Sequence, residues 1–524
     1  CPDLAAASAA QLDPRPSAVP DIDALDERAL LLFREQRYEE SAQVYEQLLA
    51  IFEDRLGPEH SRTLSVASDL ATAYREQGRL LHAERLYLRA LEGRRESLGG
   101  DDRRTLRSMN SLARVYHALG RADEAERLFS ESLAGRERVL GRDHRDTLDT
   151  ADRLAVLYNE MGRFDEAETL FSRILEVRER ELGPTHNDTL TSVHNLGQTY
   201  LLQGRLQDAE PPLLRVFAAR ERTLGSAHPD TLYSMERLGR LRSAQGRMDE
   251  AQSLLAQAVM DQQRILGAGH PQTLRSLNSL ATVHQAQGRF DEAERIFLEV
   301  LNLYEQELGF SHHSTLTSAN NLASLYLSQS RYAEAEPLYL RALQARQEAL
   351  GREHPSTLNS MNNLAFLYFE QGRFAEAEPL YRQTLEARRR TLGPAHSSTL
   401  VSLNNLGSLY REQGRYDEAQ TLYTEALATK AELLGPFHPS TLITTNNLAM
   451  VFDAQGELDR AEELYEQAFV RRLGIAGESH PDSIEYASDL ARFRLNANRT
   501  PDVMQPARAM VEGIRLRRSV DDAQ

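Results

Sequence analysis

What most constrains the fold of this chain is a 42-residue period that runs through almost all of it without insertion or deletion. A glycine closes each period, at Gly57, Gly99, Gly141, Gly183, Gly225, Gly267, Gly309, Gly351, Gly393, Gly435 and Gly477. So strict a period describes one supersecondary unit stacked on copies of itself, because a short unit can bury its apolar face only against its neighbours. It predicts an extended surface repeated layer by layer, not a pocket gathered from distant parts of the chain.

Each period reads as two helices. In the ninth repeat Leu358, Met361, Leu364, Ala365, Leu367 and Tyr368 fall mostly three and four residues apart, the spacing of one amphipathic face. Pro355 and Ser356 mark the start of this helix A. Ser356 is the expected N-cap, with Asp146, Asp188, Asp230, Ser314, Ser398, Ser440 and Asp482 at the same place in other repeats. Gly372 and Arg373 make a tight turn, and helix B follows from Phe374 to Leu392 with Gly393 beyond its end. Small residues recur on both helices, as at Ala365 and Ala377, where alternating large and small side chains let helices approach to about 8–10 Å.

Leu-Ala/Gly-x-x-Tyr in helix A, then Gly-Arg-aromatic-x-Glu-Ala-Glu and Leu-Tyr in helix B, resembles a tetratricopeptide repeat. The usual period of that family is 34. The 42-residue unit with its Leu-Gly-x-x-His-Pro-x-Thr-Leu linker and Asn-Asn-Leu-Ala helix resembles the kinesin light chain subclass. The resemblance covers roughly residues 22–494 and implies an all-α, right-handed superhelical solenoid of about twelve helix-turn-helix pairs. Residues 1–21 read as an Ala/Pro/Ser-rich tether, 22–481 as the array, and 482–524 as divergent capping helices, with a further helix expected near Pro501. The first repeat carries Gln36 where the turn glycine belongs.

The 78 acidic against 61 basic residues give a net charge of −17, which argues against nucleic acid and anionic membrane surfaces as partners. The single cysteine, Cys1, permits no intramolecular disulfide and no cysteine metal site. A leading cysteine followed by such a tether resembles a bacterial lipoprotein after removal of its signal peptide, which implies lipidation at Cys1 and an envelope location. No apolar run is long enough to span a bilayer, so membrane attachment is expected through that lipid alone. Two other readings stay open: a structural subunit of a larger envelope or surface assembly, and a soluble cytosolic adaptor of the kinesin light chain kind if Cys1 carries no lipid.

In tetratricopeptide arrays helix A lines the concave groove. The resemblance therefore points to paired amides on that helix as peptide-binding residues: Asn320 and Asn321, Asn362 and Asn363, Asn404 and Asn405, Asn446 and Asn447. An amide both donates and accepts, so a ladder of amides can hold the backbone of an extended peptide whatever its sequence. The competing reading is that these residues bond neighbouring repeats to one another. Upstream the same positions are more charged, as at Asp152 and Arg153 or Glu236 and Arg237, suggesting a partner-specific surface in repeats four to six.

Two cationic rows recur as well, one in the A–B turns (Arg331, Arg373, Arg415, broken at Glu457) and one late in helix B (Arg346, Arg388, Lys430). They could clamp carboxylates, since the kinesin-like family binds acidic peptides; otherwise they complement helix C-termini and pair with nearby glutamates. Histidines spaced one per repeat, such as His354, His396 and His438, are too far apart to share a metal and read as loop-structuring residues. No phosphate loop, metalloprotease helix or nucleophile elbow occurs, so no enzyme activity and no cofactor or metal is expected, and the partner is a protein or peptide.

Overall fold

A computed structural model describes residues 22–477 and 481–499. Cys1, the tether over 1–21, the expected helix near Pro501 and the rest of the C-terminal region lie outside the described residues. Among the described residues the chain forms 23 α-helices, from Ile22–Arg34 to Pro481–Asn496, and neither strands nor cis peptide bonds occur. A helices, of 16 residues except Ile22–Arg34 (13) and Pro439–Gln455 (17), alternate with B helices of 18 or 19, such as Phe374–Thr391. Below, repeat 1 begins at Ile22, repeat 2 at His60, and each later repeat 42 residues on. The chain divides into two compact segments. One comprises the described residues up to Ala118 with Arg127–Gly141, and the larger comprises Leu119–Glu126 with Arg142 onward.

The start of each A helix departs from the expectation. The N-cap is the histidine, not the Ser or Asp two residues later. His354, His396 and His438 are in extended backbone, and Nδ1 accepts the main-chain N–H of Ser356, Ser398 and Ser440 at 3.1 Å. His60, His144, His186, His228, His270 and His312 do the same. Imidazole Nδ1 lies one atom further out than a hydroxyl oxygen and accepts the N–H two residues on, so the cap falls two places before the expected Ser or Asp. In repeats such as 9 and 11 the N1 place between them is proline, which has no N–H to satisfy. Repeat 3 has Asp102 at this place, and its carboxylate takes the Arg104 N–H at 2.8 Å.

Each A–B turn needs one residue with positive φ. Glycine supplies it in most repeats (φ 70° at Gly372, 73° at Gly414), while Gln36 and Ser330 adopt φ 60° and 56° in its place. A side chain in that left-handed region costs roughly 1 kcal/mol that glycine avoids.

In the larger segment one buried core runs from Ala251 to Phe493 and crosses every repeat boundary between them. The bulkiest fully buried side chains, Tyr339, Tyr381 and Tyr423, occupy one helix-B position in consecutive repeats. They face the small column of helix A. At Gly407 an added Cβ would fall 2.9 Å from the Tyr423 ring. Successive A helices approach one another closely, as Pro355–Glu370 and Ser397–Glu412 do, whereas successive B helices do not. The larger segment therefore curves with helix A on its inner side.

This curvature brings the larger segment back onto itself. The A–B turn at Gly120 meets the cap of repeat 9, so a Cβ on Gly120 would overlap the Pro355 ring. A Cβ on Gly204 would lie 3.4 Å from Pro439 and 3.6 Å from His438. Both glycines stand 235 residues before the proline they face, so the turn of repeat n touches the cap of repeat n + 6.

Candidate functional site: the inner face of the A helices

On helix A of repeat 9 the exposed positions are Asn359, Phe366 and Glu370, with Asn363 half-buried beside them. The same columns place Val401 and Ile443 in the open in repeats 10 and 11, with half-buried Met450 following. Phe366 also stacks on Phe369, centroids 6.1 Å apart, with the planes 17° from parallel. Repeats 9 to 11 thus present apolar side chains on the inner face.

The first asparagine of three of the four pairs is buried: Asn362 and Asn404 are 8% exposed and Asn446 9%. Asn320 and the second members Asn321, Asn363, Asn405 and Asn447 are half-buried. Several of these amides bridge repeats. The Asn405 amide donates to Asn362 Oδ1 at 3.0 Å, Asn321 to Asn278 Oδ1 at 3.4 Å, and Asn446 to Asp489 Oδ2 at 2.9 Å. Asn404 exchanges hydrogen bonds with the Thr444 hydroxyl at 3.0 and 3.1 Å. The charged pairs upstream follow the same rule: Asn195 donates to Asp152 and Ser279 to Glu236, the latter only 1% exposed. The paired position is thus a seam between adjacent A helices, with its outer edge on the inner face.

The turn arginines are fully engaged. Arg373 donates to Glu376 at 2.6 Å and to Glu336 of the preceding repeat at 3.0 Å, and its guanidinium lies 4.0 Å over the Tyr368 ring. Arg415 repeats this with Glu418, Glu378 and Tyr410, and Arg331 with Glu334, Glu294 and Tyr326. These carboxylates push the guanidinium pKa values upward. Where Glu457 replaces the arginine, the charges swap: Arg460 pairs with Glu457 at 2.5 Å and covers Phe452.

The late helix-B cations differ from the expectation of helix-end and surface pairing. They are buried, and each reaches the next repeat's A helix instead. Arg346 donates to Ser360 at 2.6 Å, Arg388 to Ser402 at 2.7 Å and Lys430 to Thr444 at 2.8 Å. Each also reaches the main-chain carbonyl ten residues on, and Arg388 additionally holds Asn359 at 2.5 Å on the inner face. No carboxylate pairs with these three among the described residues, so burial lowers Arg388 to about 10 and Lys430 to about 8. Where Gln262 and Tyr304 interrupt the row, the receiving hydroxyls of Ser276 and Ser318 have no hydrogen-bond partner. Burial of these cations was invisible to sequence reading; the recurrence of Ser or Thr fourteen residues after each one was the available signal.

A third cluster lies in repeats 5 to 7. Tyr233 is flanked by His194, with ring centroids 5.3 Å apart, and by the guanidinia of Arg237 at 4.9 Å and Arg275 at 5.8 Å. Arg237 also pairs with Glu236 at 3.3 Å. Arg240 and Arg275 are exposed on the A helices, and no carboxylate pairs with either among the described residues.

Among the described residues no helix is long and apolar enough to cross a membrane, and no group of His, Cys, Asp and Glu could hold a metal. The tetratricopeptide repeat profile matches residues 21–96, 70–138, 104–171, 146–222, 231–306, 314–390, 360–432 and 398–469, and a second profile of that name matches 278–349. Among solved structures, a kinesin light chain with nearly identical TPR-like repeats from Podosopora anserina is 31% identical over 39% of this chain and 97% of that one, with a TM-score of 0.33. BtubC (BKLC) from P. vanneervenii is 26% identical over 45% of this chain and 94% of that one, at a TM-score of 0.38. Yeast Tom70 is 14% identical over 93% of this chain and 98% of that one, at 0.45. No curated protein matches the chain. A period of paired helices, matched by the family profile along most of its length, makes this chain a member of the tetratricopeptide repeat family.

Proposed function

We propose that the chain is a non-catalytic scaffold that binds an extended segment of another protein along the inner face of its A helices. The observation that carries this reading is the run of exposed apolar side chains, Phe366, Val401 and Ile443, on that face in consecutive repeats. Beside them the half-buried Asn321, Asn363, Asn405 and Asn447 supply donors and acceptors for a peptide backbone at the outer edge of the seam, in which Asn362, Asn404 and Asn446 are bonded while Asn320 Oδ1 has no partner. Scattered apolar residues are normal on a surface, but apolar side chains exposed on the inner face of three successive repeats mark a site of contact. Arg240 and Arg275 add a preference for acidic side chains at repeats 6 and 7. The uncompensated cations behind the face in repeats 8 to 10 work in the same direction, against the −17 charge of the whole chain.

Peptides selected by display on the full chain test this. Val401→Asp and Ile443→Asp should weaken binding at least tenfold with unchanged thermal melts, and Arg240→Glu with Arg275→Glu should weaken acidic peptides selectively. Alanine at Asn363, Asn405 and Asn447 should also abolish binding, read beside a melt because Asn405 bridges repeats. Selected peptides indifferent to all of these would place binding elsewhere and favour a structural subunit. The anchor is part of the same proposal: lipid on Cys1 would tether the array at a bacterial envelope membrane. Intact mass spectrometry of the natively expressed chain decides it, a triacyl increment supporting the anchor and a free thiol removing it in favour of a soluble adaptor.

A further inference from the structure

We infer that access to the inner face of the larger segment is controlled by a clasp between successive superhelical turns. The A–B turns of repeats 3 and 5 seat against the caps of repeats 9 and 11, Gly120 on Pro355 and Gly204 on His438 and Pro439. Between them the His396 imidazole of repeat 10 bonds the Glu160 main chain at the turn of repeat 4. Its Nδ1 already accepts the Ser398 N–H at 3.1 Å, so the proton sits on Nε2, and that N–H is the one that meets Glu160. Three consecutive turns therefore touch three consecutive caps at one spacing of six repeats.

The contacts are shaped for close approach. Gly120 has no Cβ where the Pro355 ring lies, so any side chain there would force the turns apart. At Gly162, whose counterpart is Ser397 and not proline, an added Cβ would meet nothing within 4 Å. The contacts described between these turns and caps are made by proline, imidazole and main chain, and the buried core of the segment is given by helix residues. Such an interface is small beside the core that joins consecutive repeats, so it is the joint that opens first. Because the A helices face inward, closing the gap between turns bars a partner from reaching the inner face from the side. Opening requires only a small change of pitch spread over six repeats, each hinging at its own inter-helix packing.

This inference rests on the inner face being the binding surface, and the test reads the clasp without any partner. The chain has no tryptophan, so Phe366→Trp in a Cys1→Ser background places a single reporter on the inner face. Gly204→Cys with Pro439→Cys adds two thiols across the clasp, to be bridged by a short bismaleimide. Bridging should go to completion within one chain, whereas Gly288→Cys with Pro439→Cys should not bridge. Iodide should quench the tryptophan equally before and after bridging. A nitroxide-labelled dextran too large to pass between closed turns should quench it at least fivefold less once the clasp is bridged. Failure to bridge, or equal dextran quenching in both states, overturns the clasp while leaving peptide binding to be judged by the Val401 and Ile443 variants. If the Gly204 pair melts early, Gly120→Cys with Pro355→Cys repeats the experiment two contacts away.

Discussion

At the scale of single residues, the buried cations are the most costly choice in this array. Lys430 is 2% exposed and has two neutral oxygens for partners, and its pKa falls from 10.5 to about 8. A lowered folded-state pKa means that the unfolded chain binds the proton more tightly. The penalty is therefore fully present below pH 8 and fades as pH rises from 8 to 10.5. The shift corresponds to about 3 kcal/mol, less the two hydrogen bonds that the ammonium makes. Lys430→Met should thus stabilise the protein at pH 7 by about 2 kcal/mol, and denaturant titrations should show that gain vanishing by pH 10.5. Apart from Thr444 fourteen residues on, nothing in the sequence marked Lys430 as different from a surface lysine near a helix end. Its burial follows from the depth at which consecutive A helices meet, a tertiary quantity.

Ser330 makes the opposite point, because the sequence alone places it where glycine recurs. With φ at 56° it carries left-handed strain, so Ser330→Gly should relieve it despite glycine's greater unfolded-state entropy. A gain of roughly 0.5 kcal/mol in urea unfolding is expected.

At the scale of the helix, the histidine caps set an acid limit. A capping imidazole must keep Nδ1 unprotonated to accept an N–H, and burial with the nearby Lys430 charge holds His438 down to about 4. For a base with a lowered pKa, stability is intact above 6.5 and is lost as pH falls from 6.5 toward 4. Asp102 shows that a carboxylate can cap the same place. His438→Asp should therefore retain the cap, gain attraction from Lys430, and move the acid-unfolding midpoint of the chain to lower pH. An unchanged midpoint would mean that other groups govern acid unfolding. Sequence reading found the helix and its start to within two residues but chose the Ser or Asp. Propensity ranks those as the better caps, and it does not show that the helix already begins two residues earlier, with or without a proline at N1.

The asparagine pairs belong to this scale too. Their spacing was legible, and so were both readings, peptide binding or inter-repeat bonding. Periodicity assigns a face, but it cannot say whether an atom on that face meets a neighbouring helix or open space. The structure gives the first of each pair mainly to the seam and leaves the second at its edge.

At the scale of the whole molecule, the clasp inferred between repeats six apart would hold the pitch of the larger segment. Gly120→Ala and Gly162→Ala carry the same local penalty, since both residues have positive φ (72° and 77°), but only the first meets a neighbour across the turn. Small-angle scattering should show a larger maximum dimension for Gly120→Ala than for Gly162→Ala at similar thermal stability. Pro355→Gly should return the first to the parental profile.

From the sequence by itself come the helix pairs, the period, the family and the apolar face of helix A, because these depend on residues within about one period of one another. Only the tertiary structure decided that the late helix-B cations are internal, that the amides form a seam, and that turn and cap meet across 235 residues. Those facts depend on curvature, which is the sum of small packing rotations at every repeat boundary. No single repeat encodes that sum legibly, and a change too slight to alter the pattern of any one repeat would place a different turn against a different cap.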